Sequence, residues 1–400
     1  MNTRWAQSGS NAPYSAGRHF LQIPGPTNTP ERVLQAIARP TIDHRGPEFA
    51  ELMRGVLADI RLVFQTVSPV VIFPSSGTGA WEAALVNVTS PGDHVLMAET
   101  GHFASLWYEL AGRLGLKAEM LPGSWRGGAS PEAIAERLAQ DREGQIKAVC
   151  VVHNETSTGS VSPIAEIRKA IDDIGHGALL MVDTISSLAS IDYRPDEWGV
   201  DVTVGGSQKG LMLPPGLAFN AIGPKAAVQS RQARMPRSYF DWTSMAQAPE
   251  TGQFPYTPAT NLLFGLRAAI DMLLEEGLPQ VFQRHARLAE ATRRAAQAWG
   301  LEILCSEPAQ RSNSLTAVMM PEGHSADRLR DHILRTYNMS LGNGLSKLKD
   351  KVFRIGHLGD FNELMLIGTL GGVELGLRDL GIPHKASGVG AALDFLTRRV

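Results

Sequence analysis

Lys209 stands in GGSQKGLMLPPG, residues 205–216, a lone long cation among glycine, serine and proline, directly after the apolar alternation of DVTV. Two further polar stretches follow apolar runs in the same way: HNETSTG (153–159) after KAVCVV, and DTISS (183–187) after ALLMV. In open α/β sheets ligands bind beyond the carboxyl ends of the strands, so Thr156, Asp183 and Lys209 are expected to converge on one crevice although they lie far apart in the chain. Taken singly, each also fits a plainer role, Asp183 as a turn cap and Lys209 as a solvated loop cation. A fourth stretch, FPSSGTGAWEAALVNV, opens a helix with Ser76, Gly77 and Thr78. Free backbone N–H groups at a helix start, helped by hydroxyls, form a phosphate cradle, though serine and threonine also cap helices with no ligand present. The glycines match neither the GxGxxG dinucleotide fingerprint nor a GK[ST] phosphate loop, which points to a phosphate carrier other than NAD or ATP.

The elements that must position these residues are legible as βα units between residues 68 and 222. PVVIF, DHVLMA, KAVCVV, ALLMV, DVTV and LAFNAI read as strands of a mainly parallel sheet, separated by helical stretches. In SPIAEIRKAIDDIG, Ile164, Ile167, Ile171 and Ile174 recur at helical spacing, and Ser162 is the expected N-cap before Pro163. After residue 258 the character changes to ATNLLFGLRAAIDMLLEEG, ARLAEATRRAAQAWG, SNSLTAVMM, SADRLRDHILRTY and KVFRIGHL, an α+β mixture suited to a second, smaller domain. We therefore expect an N-terminal segment over 1–25, a large domain over 26–285 and a small C-terminal domain over 286–400, with the boundary between 280 and 300. The Pro and Gly punctuation of HFLQIPGPTNTPERVLQAI suggests an N-terminal segment that wraps across both.

Composition excludes several classes. The chain has 400 residues, with Lys plus Arg at 38 against Asp plus Glu at 40, so no basic field exists for tracking nucleic acid. No apolar run approaches a membrane span, the first twenty residues lack a signal-peptide core, and the terminal TRRV is not a peroxisomal address, so the cytoplasm is expected. Cys150 and Cys305 are far apart and form no CxxC pattern, which argues against a disulfide, a zinc site or a redox pair and leaves Cys150 a core residue. No metal site is expected. Small molecules are the expected partners.

A phosphate cradle, an aspartate and a lysine on one sheet edge are the parts pyridoxal 5′-phosphate requires: the lysine amine forms a Schiff base with its aldehyde, and the aspartate keeps the pyridine nitrogen protonated. The order SGTG, HNETSTG, VDTISS, GGSQKG and RIGHLG, with IPGPTNTPERV before them and FPYTPATNLL between, resembles the class V (fold type I) aminotransferases, in particular their serine-glyoxylate and alanine-glyoxylate branch. The resemblance implies a large domain with a mainly parallel seven-stranded sheet flanked by helices, a smaller α+β C-terminal domain, and a homodimer or tetramer with active sites at the subunit interface. It makes Lys209 the catalytic Schiff-base lysine and Asp183 the partner of the pyridine nitrogen. Ser76, Gly77, Thr78 and Gln208 fall on the phosphate side, Ile185 and Phe103 on opposite ring faces, and Thr156 near the phenolic oxygen. Many relatives carry tryptophan where Phe103 stands. Tyr256 and Thr257 would reach the phosphate from the neighbouring subunit, with Phe254 as the alternative aromatic. Arg354 would bind the substrate α-carboxylate through two parallel hydrogen bonds, and Gly25 would let the N-terminal backbone approach the substrate. A ping-pong transamination follows, in which Lys209 shuttles a proton between the substrate Cα and the cofactor C4′ and glyoxylate leaves as glycine.

L-Serine is the expected donor, with aspartate or alanine as alternatives. An aspartate donor calls for a second cation, for which His44, Arg45, His102 and His357 are candidates, each histidine also fitting a hydrogen-bonded structural role. Two rival classes are weaker. A lyase of the cysteine desulfurase type needs a cysteine on a mobile loop, whereas Cys305 follows a strand in LEILCSEP, and a nicotinamide oxidoreductase lacks its glycine fingerprint.

Overall fold

The computed structural model describes residues 16–385 and 387–398, so the first fifteen residues of the expected N-terminal segment lie outside the described residues. All six apolar runs form strands of one sheet, and a seventh strand closes its edge. The order across the sheet is Val70–Ser75, Gly216–Ile222, Val202–Gly206, Leu179–Asp183, Ile146–Val152, His94–Ala98 and Lys117–Leu121. Gly216–Ile222 runs antiparallel to both neighbours and the other strands are parallel. Central strands read as continuous apolar runs because helices cover both faces, and Leu179–Asp183 is buried at every position.

Alternate residues of one strand serve opposite faces. Val149 and Val151 pack with Leu180, Ile134 and the Ile164, Ile167 and Ile171 stripe. Cys150 and Val152 pack on the other side with Met181, Trp81 and Trp107, which places Cys150 in the core as a free thiol. Burying a side chain such as Ile167 contributes about 1.5–3 kcal/mol. The helix Ile164–Asp173 is N-capped by Pro163 and not by Ser162. The Ser162 hydroxyl instead donates to Val152 O and accepts from Ala129 N, so the strand end has taken the group that the helix was expected to use.

A second sheet joins Phe20–Gln22, Met339–Asn343, Val352–Gly356 and Leu315–Met319 in that order. Ala326–Tyr337, Glu363–Asp379 and the later turns of Leu278–Ala298 cover it with a separate core that includes Leu288, Ile333, Phe353 and Leu370. Leu278–Ala298 runs through residue 285, with Val281 in the large core and Leu288 in the small one. The N-terminal segment spans both: Phe20–Gln22 pairs parallel with Met339–Leu341, and Thr27 N then donates to Gln208 O. Among the described residues no helix is long and apolar enough to cross a membrane.

Candidate active site

Four strand ends deliver the chemistry. Val70–Ser75 runs into Ser76, Ile146–Val152 into His153, Leu179–Asp183 ends on the aspartate itself, and Val202–Gly206 leads to Lys209. These carboxyl ends enclose a cavity of about 240 Å³ lined by Gly25, Ser76, Gly77, Thr78, Phe103, Thr156, Asp183, Ile185, Gln208 and Lys209. All ten were expected at the site.

Lys209 is buried and donates from Nζ to Pro24 O. Burial, followed by the like charge of Arg354, pulls its ammonium from 10.5 down to about 7, against the opposing pull of Asp183 and Glu155. A substantial fraction is therefore neutral amine at physiological pH. Gly25 makes the close approach possible: at φ +108, a Cβ placed there would fall 2.3 Å from Lys209 Cδ. Asp183 is pushed the other way. Its burial raises it to about 7, opposed by hydrogen bonds from Ile185 N at 2.7 Å and Trp81 Nε1 at 2.9 Å. A cationic ring nitrogen beside that carboxyl would restore the anion.

The helix Gly77–Val88 starts at the cavity. Ser76 is its N-cap, yet no side-chain cap hydrogen bond forms, so the hydroxyl is left to a ligand at the positive end of the helix dipole. A Cβ on Gly77 would lie 2.2 Å from Ile185 Cδ1, so only glycine lets Ile185 into the cavity wall. The buried amide oxygens of Gln208 and Asn154, both in the lining, have no hydrogen-bond partner among the described residues. An aldehyde-reactive amine, a carboxyl in need of a cation and an anion-ready helix start fit a phosphorylated pyridine aldehyde.

Arg354 lies just behind the lining. It donates from Nε to Asn343 O at 2.8 Å and from Nη1 to Thr156 O at 2.7 Å, leaving Nη2 without a partner among the described residues. Burial lowers its guanidinium to about 10, still cationic at neutral pH. Thr156 also shares a hydrogen bond with Ser186 Oγ at 2.5 Å.

The structure does not bring Tyr256, Thr257 or Phe254 to the cavity. Tyr256 stacks on Tyr239 with ring centroids 4.3 Å apart, its buried hydroxyl lacking a partner among the described residues, and Thr257 is exposed. Phe254 packs against Phe49 in the large core. Of the candidate second cations, His357 is buried between Thr316 and Asn313 O, and His102 pairs with Ser346 Oγ at 3.1 Å. His44 is half-buried and Arg45 exposed, and neither lines the cavity. Trp81, Asn154 and Ser186 were not anticipated. Trp81 carried a signal, since it stands one helical turn after Gly77 and so shares its face.

A family profile described as aminotransferase class-V matches residues 19–347. The chain is 47% identical over 387 residues to a serine–glyoxylate aminotransferase of Methylorubrum extorquens, covering 95% of this chain and 96% of that one. It is 44% identical to an L-aspartate–glyoxylate aminotransferase of Paracoccus denitrificans, over 92% of this chain and 94% of the relative. The crystal structure of a ureidoglycine–glyoxylate aminotransferase from Bacillus subtilis superposes with a TM-score of 0.89 at 28% identity, covering 96% of this chain and 100% of that chain.

Proposed function

Since the chain belongs to the class V aminotransferases, enzymes that depend on pyridoxal 5′-phosphate, we propose that it transfers the amino group of L-serine to glyoxylate, giving hydroxypyruvate and glycine. The convergence of Lys209, Asp183 and the Ser76–Thr78 helix start on one cavity, with Arg354 behind it, carries this reading. The serine–glyoxylate relative supports the choice of donor.

When bound, the cofactor supplies an aldehyde that condenses with amines and a ring that draws electrons from the bond being broken. Ser76, Gly77, Thr78 and Gln208 would hold its phosphate, and Asp183 would accept the proton-bearing ring nitrogen. Phe103 and Ile185 would enclose the ring and exclude water, while Thr156 would stand near the phenolic oxygen. Lys209 would hold the aldehyde end of the cofactor and, as a neutral amine, would take the proton from the substrate Cα and deliver it at C4′. Its lowered pKa matches that base role near neutrality. Arg354 would grip the α-carboxylate through Nη1 and Nη2, its orientation already fixed by two backbone carbonyls. Gly25 would keep the N-terminal backbone against the lysine.

A homodimer or tetramer with shared sites is part of the proposal, because Tyr256 and Thr257 would serve the neighbouring subunit's phosphate. Two free, buried cysteines fit a reducing compartment, the cytoplasm. The aspartate–glyoxylate relative favours aspartate as a second reading of the donor. A desulfurase-type lyase has less support, since Cys305 is buried, donates its thiol to Glu307 O and does not line the cavity. The test is the visible spectrum of the holoenzyme with L-serine, L-aspartate or L-alanine and no acceptor. Fastest bleaching by serine supports the proposal. Fastest bleaching by aspartate or alanine replaces the donor, and a protein that takes up no cofactor refutes the site.

A further inference from the structure

Glu155 is fully buried and was no part of the expected site. It sits in a two-residue strand, Asn154–Glu155, that pairs with Ser160–Val161. Its carboxylate leaves this hairpin and meets the start of the helix His102–Arg113, some fifty residues earlier in the chain. Phe103 N donates to both oxygens, at 3.3 and 3.2 Å, and Ala104 N donates to Oε2 at 3.1 Å. Ser157 donates to Oε1 from its backbone N at 2.9 Å and from its hydroxyl at 2.6 Å, and that hydroxyl accepts from His102 N at 2.9 Å. The first three N–H groups of this helix are thus satisfied by Glu155 and Ser157, while the local N-cap, Gly101, offers no side chain.

Gly101 is the complement of this arrangement. A Cβ there would fall 2.4 Å from Ser157 Oγ and 2.5 Å from Glu155 Cγ, so the glycine opens the gap that the carboxylate fills. Among the described residues Glu155 has no cation within hydrogen-bonding distance, and the cost of burying its carboxylate is offset by these N–H and O–H donors and by the positive end of the helix His102–Arg113. Two of its neighbours in the chain identify what it serves. Asn154 and Thr156 line the cavity, and Thr156 O receives Arg354, while Phe103, held by the carboxylate, lines the same cavity.

We propose that Glu155 is a positioning residue that locks the Phe103 ring to the Asn154–Thr156 wall of the active site, so that the ring-covering aromatic and the carbonyl that orients Arg354 move as one unit. The inference rests on the pyridoxal-phosphate reading of the cavity. Glu155 touches neither the cavity nor the reacting atoms and acts through the helix start. Its charge is also felt inside: with Asp183 it opposes the lowering of Lys209, on which Arg354 acts in the other direction.

Two variants test this. Glu155→Gln keeps the shape but presents an NH₂ group to N–H donors and removes the charge, whereas Ser157→Ala keeps the charge and removes one bridge. The readouts are the visible circular dichroism of bound cofactor, which reports ring placement, and the pH at which apoenzyme captures added pyridoxal 5′-phosphate at half its maximal rate, which reports Lys209. In E155Q the dichroic band is expected to weaken, cofactor affinity to fall roughly ten- to hundredfold, and the capture midpoint to move to lower pH. In S157A the band is expected to weaken with the midpoint unmoved. Wild-type dichroism in both variants overturns the proposal. If E155Q fails to fold, unaltered dichroism in S157A is sufficient to overturn it. Wild-type apoenzyme that captures no cofactor is a different failure, which removes the reading of the cavity and this inference with it.

Discussion

Replacing Gly25 with alanine separates backbone strain from displacement of the lysine. Gly25 has φ +108, and its substituted Cβ would meet Lys209 Cδ at 2.3 Å, Cε at 2.6 Å and Nζ at 2.6 Å. A left-handed conformation costs an L-residue about 1–2 kcal/mol. Gly92 supplies the control, because it has φ +81 and nothing within 4 Å of the added carbon. Both variants should therefore lose about 1–2 kcal/mol of stability in urea denaturation. Only in G25A must something else yield, and the side chain of Lys209 yields more readily than two backbone segments. A shift of about 1 Å in a reacting group costs on the order of 100-fold in rate. G25A should thus show about 100-fold lower kcat at a stability close to that of G92A. Wild-type kcat and cofactor capture in G25A would refute the idea that this glycine exists to admit Lys209.

Trp81→Phe removes the indole N–H from Asp183 while keeping an aromatic ring against Trp107, so the Asp183 pKa should rise and cofactor affinity fall roughly ten- to hundredfold, read by equilibrium titration. Arg354→Gln should raise KM for both amino and oxo acid roughly ten- to hundredfold, with a smaller effect on kcat, in steady-state kinetics. The same variant loses a positive charge near Lys209, so the pH midpoint of cofactor capture should move up. Lys209, lowered from 10.5 to about 7, contributes apoenzyme stability that is present above 10.5 and is lost as pH falls towards 7. Asp183, raised from 3.8 to about 7, contributes stability that is present below 3.8 and is lost as pH rises towards 7. Chemical denaturation of apoenzyme against pH should show the alkaline gain disappear in Lys209→Met.

The sheet was legible where both faces are buried, because strands such as Ile146–Val152 then read as apolar runs. Lys117–Leu121 escaped because KAEML is an edge strand, exposed or half-buried along its length, and so has no such run. The strand-end positions of Thr156, Asp183 and Lys209 were legible because polar residues break off each run abruptly. Glu155 was hidden, since the partners that tie it to the Phe103 helix are backbone N–H groups some fifty residues away that no residue pattern marks. Ser162 misled for a related reason: a serine before a proline-headed helix has the local pattern of a cap, and only the fold shows that Val152 O and Ala129 N engage its hydroxyl. Tyr256 was the expected cross-subunit aromatic with Phe254 as the alternative; in this chain Phe254 packs beside Phe49 and Tyr256 stacks on Tyr239.

The central claim is that Lys209 carries the cofactor, and borohydride reduction of the holoenzyme followed by peptide mass spectrometry tests it directly. A phosphopyridoxyl group on the peptide containing Lys209, absent in Lys209→Ala, is the predicted result. The same group on another lysine, such as Lys225 or Lys347, or on none, would contradict the account.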